Sequence, residues 1–398
     1  MAWTRNRPSG LVYRDPEQSH DGYTLFSNVE GYHATLLDPE GRIVHRWVHD
    51  EGVQYAKLLP GGNVLFHTAN PVHFMEAADV SPVGVIGGHA HALIEQDWDG
   101  NTVWEYRNDQ QHHDFVRLDS GNTVVLHFEL LPDEIRRQVR GGFQGANDPD
   151  AMVGDLVREL SPAGETVREW RSWEHFDYRL DVLCPLERRR EWTHANSISV
   201  APDGRWLVSF RQTDTVVIVN PDSGEIEWRW GPGVTSHQHH FTMLPSGNVM
   251  LFDNGSHRRG GPGHSRILEV DPATEEIVWQ YQAEVLLAFI SFMTSAADRQ
   301  PNGNTLITEG ATGRIFEVTP EGETVWEYVT GFMPAGRFGK TPSMFRAHRY
   351  AADGPELAGR DLDPSRWAEA TEQLNGGEDP YEGSYNPPER SENIGSQR

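Results

Sequence analysis

A short phrase that ends in tryptophan returns six times along the chain and constrains the fold more than any other feature. Each copy begins with a turn rich in Asp, Glu, Pro or Gly and continues as an alternating strand that carries Trp. The copies run from Leu37 to Trp47, Asp97 to Trp104, Ser161 to Trp170, Pro221 to Trp230, Asp271 to Trp279 and Pro320 to Trp326. Where the turn contains Gly, Trp follows it by four or six residues, and positions two apart on a strand face the same side of a sheet. The phrase therefore predicts a repeated packing layer.

A second phrase, an apolar hairpin, alternates with the first. In each copy an apolar strand turns at Asn, Asp or Gly and leaves as another strand, which is the pattern of a β-hairpin. The copies span residues 56–66, 115–128, 198–210, 241–252 and 300–307. Two hairpins per unit, at a period of roughly 40 to 60 residues, are typical of four-stranded propeller blades. The sequence predicts an all-β fold, a six-bladed β-propeller with four-stranded antiparallel blades.

The two ends of the chain are predicted to share the sixth blade. Residues 345–354 form a hairpin near one end, and 22–26 and 32–36 are strands near the other. Joining them in one sheet closes the ring and removes two exposed sheet edges. We expect an N-terminal extension at 1–21, one propeller at 22–355, and a polar tail at 356–398 with a short helix at 366–374.

The charge balance argues against two classes of partner. Of 398 residues, 34 are Lys or Arg and 59 are Asp or Glu, which gives a formal net charge of -25. Such a surface disfavours nucleic-acid phosphates and anionic membranes. The first eight residues lack the apolar stretch of a secretory signal, and no run reaches membrane-spanning length. We expect a cytoplasmic protein that binds neither nucleic acid nor membrane. Its excess of acid and its two lysines favour a saline host, although a GC-rich genome would also favour Arg over Lys.

The cysteine and histidine pattern gives little sign of a metal. Cys184 is the only cysteine, so an intrachain disulfide is excluded and no thiolate metal motif is apparent. His89 and His91 have the spacing of a metal pair, yet no Asp or Glu beside them completes a ligand set. The prediction is no metal and no cofactor.

Three of the 19 histidines recur at one place in the blade repeat. His113 and His239 lie eight residues before their hairpin glycines, and His194 lies ten before its own. Eight and ten differ by one strand period, so the three side chains can point the same way. The first strand of a propeller blade lines the central channel, so these positions predict a polar ring at its entrance. The other blades place these residues there: Gln54, Ser295 and Arg346.

In an alternative interpretation, the polar ring only hydrates the channel. It accounts for polar side chains, but it does not explain why three of six positions are His. We therefore favour a site in which several blades contribute to one concave pocket.

Four ordered runs give the chain a resemblance to a known family. They are residues 111–114 (QHHD), 192–197 (WTHANS), 209–211 (SFR), and 238–239 (QH) with 252–255 (FDNG). In order and setting they resemble the bacterial aryl sulfotransferases, six-bladed propellers that move a sulfuryl group between phenols without adenylyl phosphosulfate. The resemblance spans about residues 22 to 349.

The resemblance implies a role for each catalytic candidate. His239 would be the nucleophile that becomes transiently sulfated. His194 and Arg211 would hold the sulfuryl oxygens, and His113 would act as a proton or charge partner at the phenolic oxygen. The expected partners are a small aryl sulfate and a phenolic acceptor. The predicted substrate-binding residues are Asn196, Asp114, Gln54 and Arg346.

The implied chemistry suits these residue types. Sulfuryl transfer requires alignment of a nucleophile with a leaving oxygen and fixed positive donors around the sulfuryl oxygens. Imidazole titrates near neutrality, so one His can attack while another donates a proton. The neighbours His240 and His112 are alternatives to His239 and His113, and only the hairpin count distinguishes them.

Two other functions stay open. The chain departs from the characterised family type in lacking an export signal and a disulfide, and the segment before the blades is short. A lyase or hydrolase could use the same His and Arg residues on an anionic substrate. A non-catalytic propeller could instead bind a partner through its loops.

Overall fold

The fold is built almost entirely from short antiparallel strands. The computed structural model describes residues 8–68, 83, 86–146, 148–336 and 339–378. In chain order the strands are β1 (Gly10–Arg14), β2 (Tyr23–Asn28), β3 (His33–Leu37), β4 (Ile43–Val48), β5 (Tyr55–Leu58), β6 (Val64–His67), β7 (Ala92–Gln96), β8 (Thr102–Arg107), β9 (Gln111–Arg117), β10 (Thr123–Leu130), β11 (Gly141–Phe143), β12 (Val153–Leu160), β13 (Thr166–Arg171), β14 (Leu183–Arg188), β15 (Ala195–Val200), β16 (Trp206–Phe210), β17 (Thr215–Val219), β18 (Ile226–Trp230), β19 (His239–Met243), β20 (Val249–Asp253), β21 (Arg266–Val270), β22 (Ile277–Tyr281), β23 (Ala296–Arg299), β24 (Thr305–Glu309), β25 (Arg314–Val318), β26 (Thr324–Val329), β27 (Ala335–Gly336), β28 (Gly339–Lys340) and β29 (Met344–Tyr350).

The described residues divide into two compact units, each with three blades. Those of Met1–Met75, Ala92–Glu105 and Thr294–Arg398 form the first unit, and those of Glu76–His91 and Tyr106–Met293 form the second. The first unit contains the sheets β29-β2-β3-β4, β5-β6-β7-β8 and β23-β24-β25-β26, with β1 as a fifth strand on β26. The second contains β9-β10-β12-β13, β15-β16-β17-β18 and β19-β20-β21-β22. The fold is a six-bladed β-propeller, as the repeats predict.

The ends of the chain meet in one sheet, as predicted. β29, near the C-terminal end, pairs antiparallel with β2 from Tyr23 opposite Tyr350 to Asn28 opposite Met344. β2 then pairs with β3, and β3 with β4. The shared blade thus takes its first strand from one end of the chain and the other three from the opposite end.

The repeated tryptophans link successive copies of their own phrase. Trp47 Nε1 donates to the carbonyl of Asp97 at 3.0 Å, Trp170 Nε1 to Gly224 at 2.9 Å, and Trp326 Nε1 to Pro39 at 2.8 Å. Each acceptor lies in the turn of another copy, and each link falls inside one of the two units. All three rings are buried, where an indole N–H requires an acceptor. This explains why the turn and the Trp recur together.

Helix is scarce in the described residues. The α-helices there are α1 (Asp133–Arg136) and α2 (Ala368–Gly376), and a 3-10 turn at Pro364–Trp367 precedes α2. The predicted terminal helix at 366–374 thus overlaps this 3-10 turn and most of α2. None of the helices seen is both long and apolar enough to cross a membrane. The predicted domain bounds stay predictions.

Candidate active site

All four predicted catalytic residues belong to the second unit. His113 lies on β9 and His194 directly precedes β15. Arg211 begins a 3-10 turn after β16, and His239 begins β19. The three histidines thus lie on or next to the first strands of three blades, and Arg211 follows the second strand of one of them.

His113 and His194 lie in direct contact. Their ring centroids are 4.6 Å apart with an interplanar angle of 73°. His194 Nδ1 is 2.7 Å from Glu191 Oε2; a carboxylate accepts, so this nitrogen carries the proton. His113 Nδ1 is 2.9 Å from His112 Nδ1. The two predicted residues are therefore brought together, each held by a neighbour that the sequence analysis did not assign to the site.

Asp155 lies behind this pair. Its Oδ1 is 3.4 Å from His112 Nε2, and its Oδ2 accepts a hydrogen bond from the Thr193 hydroxyl. Burial raises the pKa of Asp155 to about 6, although the Thr193 hydrogen bond opposes the shift. A carboxyl group that titrates near neutrality, next to two imidazoles, can take up or release a proton in this pocket.

The space between these side chains is small. The empty volume among them is about 150 Å³ and has no room for a water-sized molecule. An aryl ester could occupy it only after side chains move. The lining residues are Ile86, His112, His113, Phe128, Asp155, Glu191 and His194.

Gly88 covers the His113 ring. The His113 amide donates to the Gly88 carbonyl at 2.8 Å. A Cβ atom on Gly88 would lie 2.4 Å from three ring atoms of His113, and the Gly88 φ is +74°. Only glycine tolerates both constraints. The Gly87-Gly88 pair is the sequence signal for this contact, but the sequence analysis assigned it no role.

His89 and His91 both contact Asp109. His89 Nε2 contacts the Asp109 carbonyl, and His91 Nδ1 is 3.0 Å from the Asp109 carboxylate. The residues beside His89 and His91 in the sequence include no Asp or Glu. The carboxylate that contacts His91 comes instead from Asp109, in a turn further along the chain.

Arg211 is adjacent to His194 through the backbone and is ion-paired. Its amide donates to the His194 carbonyl at 3.0 Å, and its Nη1 is 2.7 Å from Glu187 Oε1. Burial opposes ionisation of Glu187, but hydrogen bonding to His237 and the charge of Arg211 hold the pKa of Glu187 well below its usual range. Glu187 is an anion beside the predicted sulfuryl-binding cation.

The hydrogen bonds of His239 fix its tautomer. His239 Nδ1 is 2.7 Å from Asn254 Oδ1 and 3.2 Å from the His237 carbonyl. The Asn254 amide nitrogen donates to the Ser291 carbonyl at 2.7 Å, which identifies Oδ1 as the acceptor. His239 Nδ1 therefore carries the proton and Nε2 carries the basic lone pair. Asn254 belongs to the 252–255 run but was not predicted as a site residue.

His237 is a second residue that the sequence analysis missed. It lies ten residues before its hairpin glycine, as His194 does, and both have left-handed φ angles, +61° and +54°. Its Nδ1 is 3.0 Å from Asp214 Oδ1 and its Nε2 is 3.2 Å from Glu187 Oε1. Burial lowers the pKa of His237, yet the hydrogen bonds to Asp214 and other neighbours raise it to about 10. The count of ten therefore matches His194 with His237 rather than with His239.

Two of the predicted substrate-binding residues tie strands together. Asn196 Nδ2 donates to the Gln238 carbonyl at 2.8 Å. Asp114 accepts from the amides of Phe115 and Ile198 at 2.9 and 3.0 Å. Both side chains are fully buried. These contacts support a positioning role, and substrate binding by either residue stays a prediction.

The other two lie in the first unit. Gln54 is buried, and its carbonyl accepts from the Ser27 hydroxyl at 3.0 Å. Arg346 is also buried; its guanidinium lies 4.6 Å from the centre of the Phe345 ring. Their predicted role in binding substrate stays a prediction.

Solved structures resemble the chain in fold. A protein of unknown function from Bacteroides caccae is 12% identical, with 83% of this chain and 99% of that chain covered, at a TM-score of 0.51. A virginiamycin B lyase from Staphylococcus aureus is 9% identical, with 70% of each chain covered, at a TM-score of 0.40. The Bacteroides structure shows a shared fold and nothing about activity. No curated protein matches the chain.

A family match bears on function. The sequence model described as Arylsulfotransferase (ASST) matches residues 70–331, well over half of the chain, and that span includes all four predicted catalytic residues. The match favours a transferase of the arylsulfotransferase type and small aryl substrates. The chain belongs to the arylsulfotransferase (ASST) family.

Proposed function

We propose that the protein transfers a sulfuryl group from an aryl sulfate to a phenolic acceptor through a sulfohistidine formed on His239. The observation that carries the proposal is the contact between His239 Nδ1 and Asn254 Oδ1 at 2.7 Å. It keeps the proton on Nδ1, which makes Nε2 the nucleophile, and it stabilises the positive charge that develops on the ring as Nε2 is sulfated.

In the first step, His239 Nε2 attacks the sulfur of the aryl sulfate. The new N–S bond forms as the S–O bond to the aryl group breaks, and the phenolate oxygen takes the electron pair. A proton from the pocket formed by His113, His112 and Asp155 neutralises that oxygen. The products are a phenol and a sulfated histidine.

In the second step, the oxygen of an acceptor phenol attacks the same sulfur. The N–S bond breaks and its electron pair returns to His239 Nε2, while the acceptor proton passes to the pocket around His113. The sum is an exchange of sulfuryl between two phenols with no net proton change, so neither metal nor redox cofactor is needed to balance the reaction.

Positive donors for the sulfuryl oxygens would come from Arg211 and His194. Glu187 engages Arg211 through Nη1, so the guanidinium would bind substrate through its other N–H groups. The carboxylate holds Arg211 in one orientation, and fixed orientation is what electrostatic stabilisation of a transition state requires.

Acceptor dependence separates this reaction from its rivals. With a chromogenic aryl sulfate and varied phenol, an exchange through a sulfated enzyme gives parallel double-reciprocal lines and a burst of released phenol before acceptor is added. A lyase or hydrolase consumes the ester at a rate independent of acceptor. A binding module releases no phenol at all. Either of these last results rejects the proposal.

A pair of variants tests the identity of the nucleophile. His239→Asn should abolish the burst, whereas His240→Asn should retain it, because the contact with Asn254 Oδ1 is made by His239 Nδ1. Asn tolerates the +51° φ of residue 240. If His240→Asn lost the burst and His239→Asn retained it, the nucleophile would be His240, and the proposal would be wrong.

A further inference from the structure

A cluster of mixed donor atoms lies in the second unit beside Arg211. Cys184 and Glu187 are on β14, His237 lies two residues before β19, and His257 lies in the loop after β20. The ligand atoms of Cys184, His237 and His257 all lie within 4.8 Å of one another. Sulfur and two imidazole nitrogens at such separations are the donors that zinc prefers in proteins.

Three separations among these donor atoms are close to those of a tetrahedral site. Cys184 Sγ is 3.5 Å from His257 Nδ1, His237 Nε2 is 3.2 Å from Glu187 Oε1, and His257 Nδ1 is 3.7 Å from the same oxygen. Four donors at the usual zinc distances of about 2.0–2.3 Å stand about 3.3–3.6 Å from one another at tetrahedral angles. The separations from Cys184 to His257 and from Glu187 to the two imidazoles are close to these values, so small movements of the side chains could bring the donors around one ion.

The surroundings orient the donors as those of a metal site do. Asp214 Oδ1 is 3.0 Å from His237 Nδ1 and so directs Nε2 toward the cluster. A carboxylate behind a ligating imidazole is the usual outer partner of a metal histidine. Arg211 Nη1 is 2.7 Å from Glu187 Oε1, the oxygen that also contacts His237, and so fixes the position of this carboxylate. Two of the four donors are thus fixed by residues outside the cluster.

The cluster is exposed to solvent on one side, and three residues in or beside it have strained backbone conformations. The His257 side chain is 32% exposed, whereas that of His237 is 0% exposed, so the cluster is accessible from solvent on the side of His257. Asp214, His237 and His257 have φ angles of +53°, +61° and +61°. Left-handed residues other than glycine cost free energy and concentrate at functional sites.

We propose that Cys184, His237, His257 and Glu187 bind one divalent transition-metal ion of the zinc class. The set of one thiolate, two imidazoles and one carboxylate suits zinc and, as probes of the same geometry, cobalt and copper, but not magnesium or calcium. The site shares Glu187 with the Arg211 ion pair, but the metal proposal does not depend on sulfuryl transfer.

A metal-free arrangement competes with the ion. In it, His237 is an imidazolium between the carboxylates of Asp214 and Glu187, and the proton occupies the place of the metal. A metal ion binds a neutral imidazole and a thiolate, so binding releases protons and affinity should rise with pH. A metal ion and a proton would compete for the same nitrogen, His237 Nε2, so the metal-bound and metal-free states can be distinguished.

Cobalt is the direct probe. The full-length protein, stripped of metal by chelation and dialysis, is titrated with Co²⁺ and then with Zn²⁺. We expect one equivalent of Co²⁺ to give a thiolate-to-cobalt charge-transfer band and the visible bands of tetrahedral cobalt, and one equivalent of Zn²⁺ to remove them. Cys184→Ser should lose the charge-transfer band. Asp214→Asn, which keeps a residue tolerant of positive φ, should weaken binding by roughly 10- to 100-fold.

His264→Ala is the matched control, because His264 lies in the same loop as His257 and bonds only locally, with Nδ1 3.1 Å from the Pro262 carbonyl. It should bind cobalt as the wild type does. The proposal is wrong if the wild type gives no tetrahedral cobalt spectrum. It is also wrong if the charge-transfer band survives Cys184→Ser. The readout is spectroscopic, so failure of sulfuryl transfer leaves it unaffected.

Discussion

The His113 ring meets the His194 ring edge to face, with centroids 4.6 Å apart, although the two residues come from different blades. β9 and β15 are the first strands of neighbouring sheets in the second unit. The contact places two imidazoles within reach of one small molecule, which is the arrangement that proton transfer beside a positive donor requires.

Gly88→Ala should displace His113 without unfolding the protein. An added Cβ would lie 2.4 Å from the His113 ring at a φ of +74°, and a displacement of about 1 Å costs on the order of 100-fold in rate. We expect kcat/KM to fall by roughly that factor while the circular dichroism spectrum is unchanged. Gly87→Ala is the control, because its Cβ would approach His194 no closer than 3.6 Å. Equal effects of the two substitutions would contradict the packing argument.

Asn254→Ala should slow the reaction by releasing the His239 tautomer. Loss of a buried hydrogen-bond acceptor costs about 1–3 kcal/mol, which corresponds to roughly 5- to 150-fold. The decrease should appear in kcat, measured as the rate of phenol release. Asn248→Ala removes an amide that bonds to Glu269 at 2.7 Å on a hairpin and should leave kcat unchanged. If Asn254→Ala retains full kcat, the His239 tautomer that Asn254 fixes is not required for the reaction.

Asp114→Ala should destabilise the fold. The carboxylate accepts from the amides of Phe115 and Ile198, and each buried amide left without an acceptor costs about 1–3 kcal/mol. Urea unfolding should show a lower midpoint with an unchanged slope. KM for the aryl sulfate separates this from the predicted substrate-binding role: a large rise in KM at full stability would favour binding.

Asp155 should make stability depend on pH. Its pKa is raised from 3.8 to about 6 in the folded protein, so the folded state holds more protons than the unfolded state between those values. The contribution is complete below pH 3.8 and is lost as pH rises through about 6. At about 1.4 kcal/mol per pK unit, the loss is at most about 3 kcal/mol.

Urea unfolding of Asp155→Asn and wild type across this window measures the effect. The variant should gain stability relative to wild type as pH rises. The groups that face Asp155 are His112, His194 and Glu191, and all three remain in both proteins. Parallel stability curves for the two proteins would show that Asp155 titrates at its ordinary pKa.

The fold was predictable because its signals are local and repeated. A period of two along each strand, a turn before it and Trp at a fixed distance define a blade from sequence alone. The hydrogen bonds from Trp47, Trp170 and Trp326 to the turns of other copies explain why turn and Trp occur together. The shared blade followed from the need to close the ring.

The site was predictable only where it follows the same repeat. His113, His194 and His239 were found by counting from hairpin glycines, and His237 would have been found by the same count. Glu187 lies on β14, outside the blade sheets, and Glu191 and Asp214 lie between strands, so no period relates these residues to the histidines. Only the folded chain shows that these carboxylates meet the imidazoles.

Cys184 shows the same limit most clearly. A single cysteine has no spacing pattern, so sequence gave no reason to connect it with His237 or His257. The three are far apart along the chain, yet their donor atoms lie within 4.8 Å of one another. A metal motif of this kind is recognisable in three dimensions alone.

The central claim is that His239 carries the sulfuryl group between the two half-reactions. Its most direct test is peptide mass spectrometry after brief incubation with an aryl sulfate and no acceptor, with the pH kept alkaline to preserve the N–S bond. The account predicts one added sulfuryl group on His239 that disappears when a phenol is supplied. A sulfuryl group on another residue, or an unmodified enzyme that still transfers sulfuryl to phenol, would contradict it.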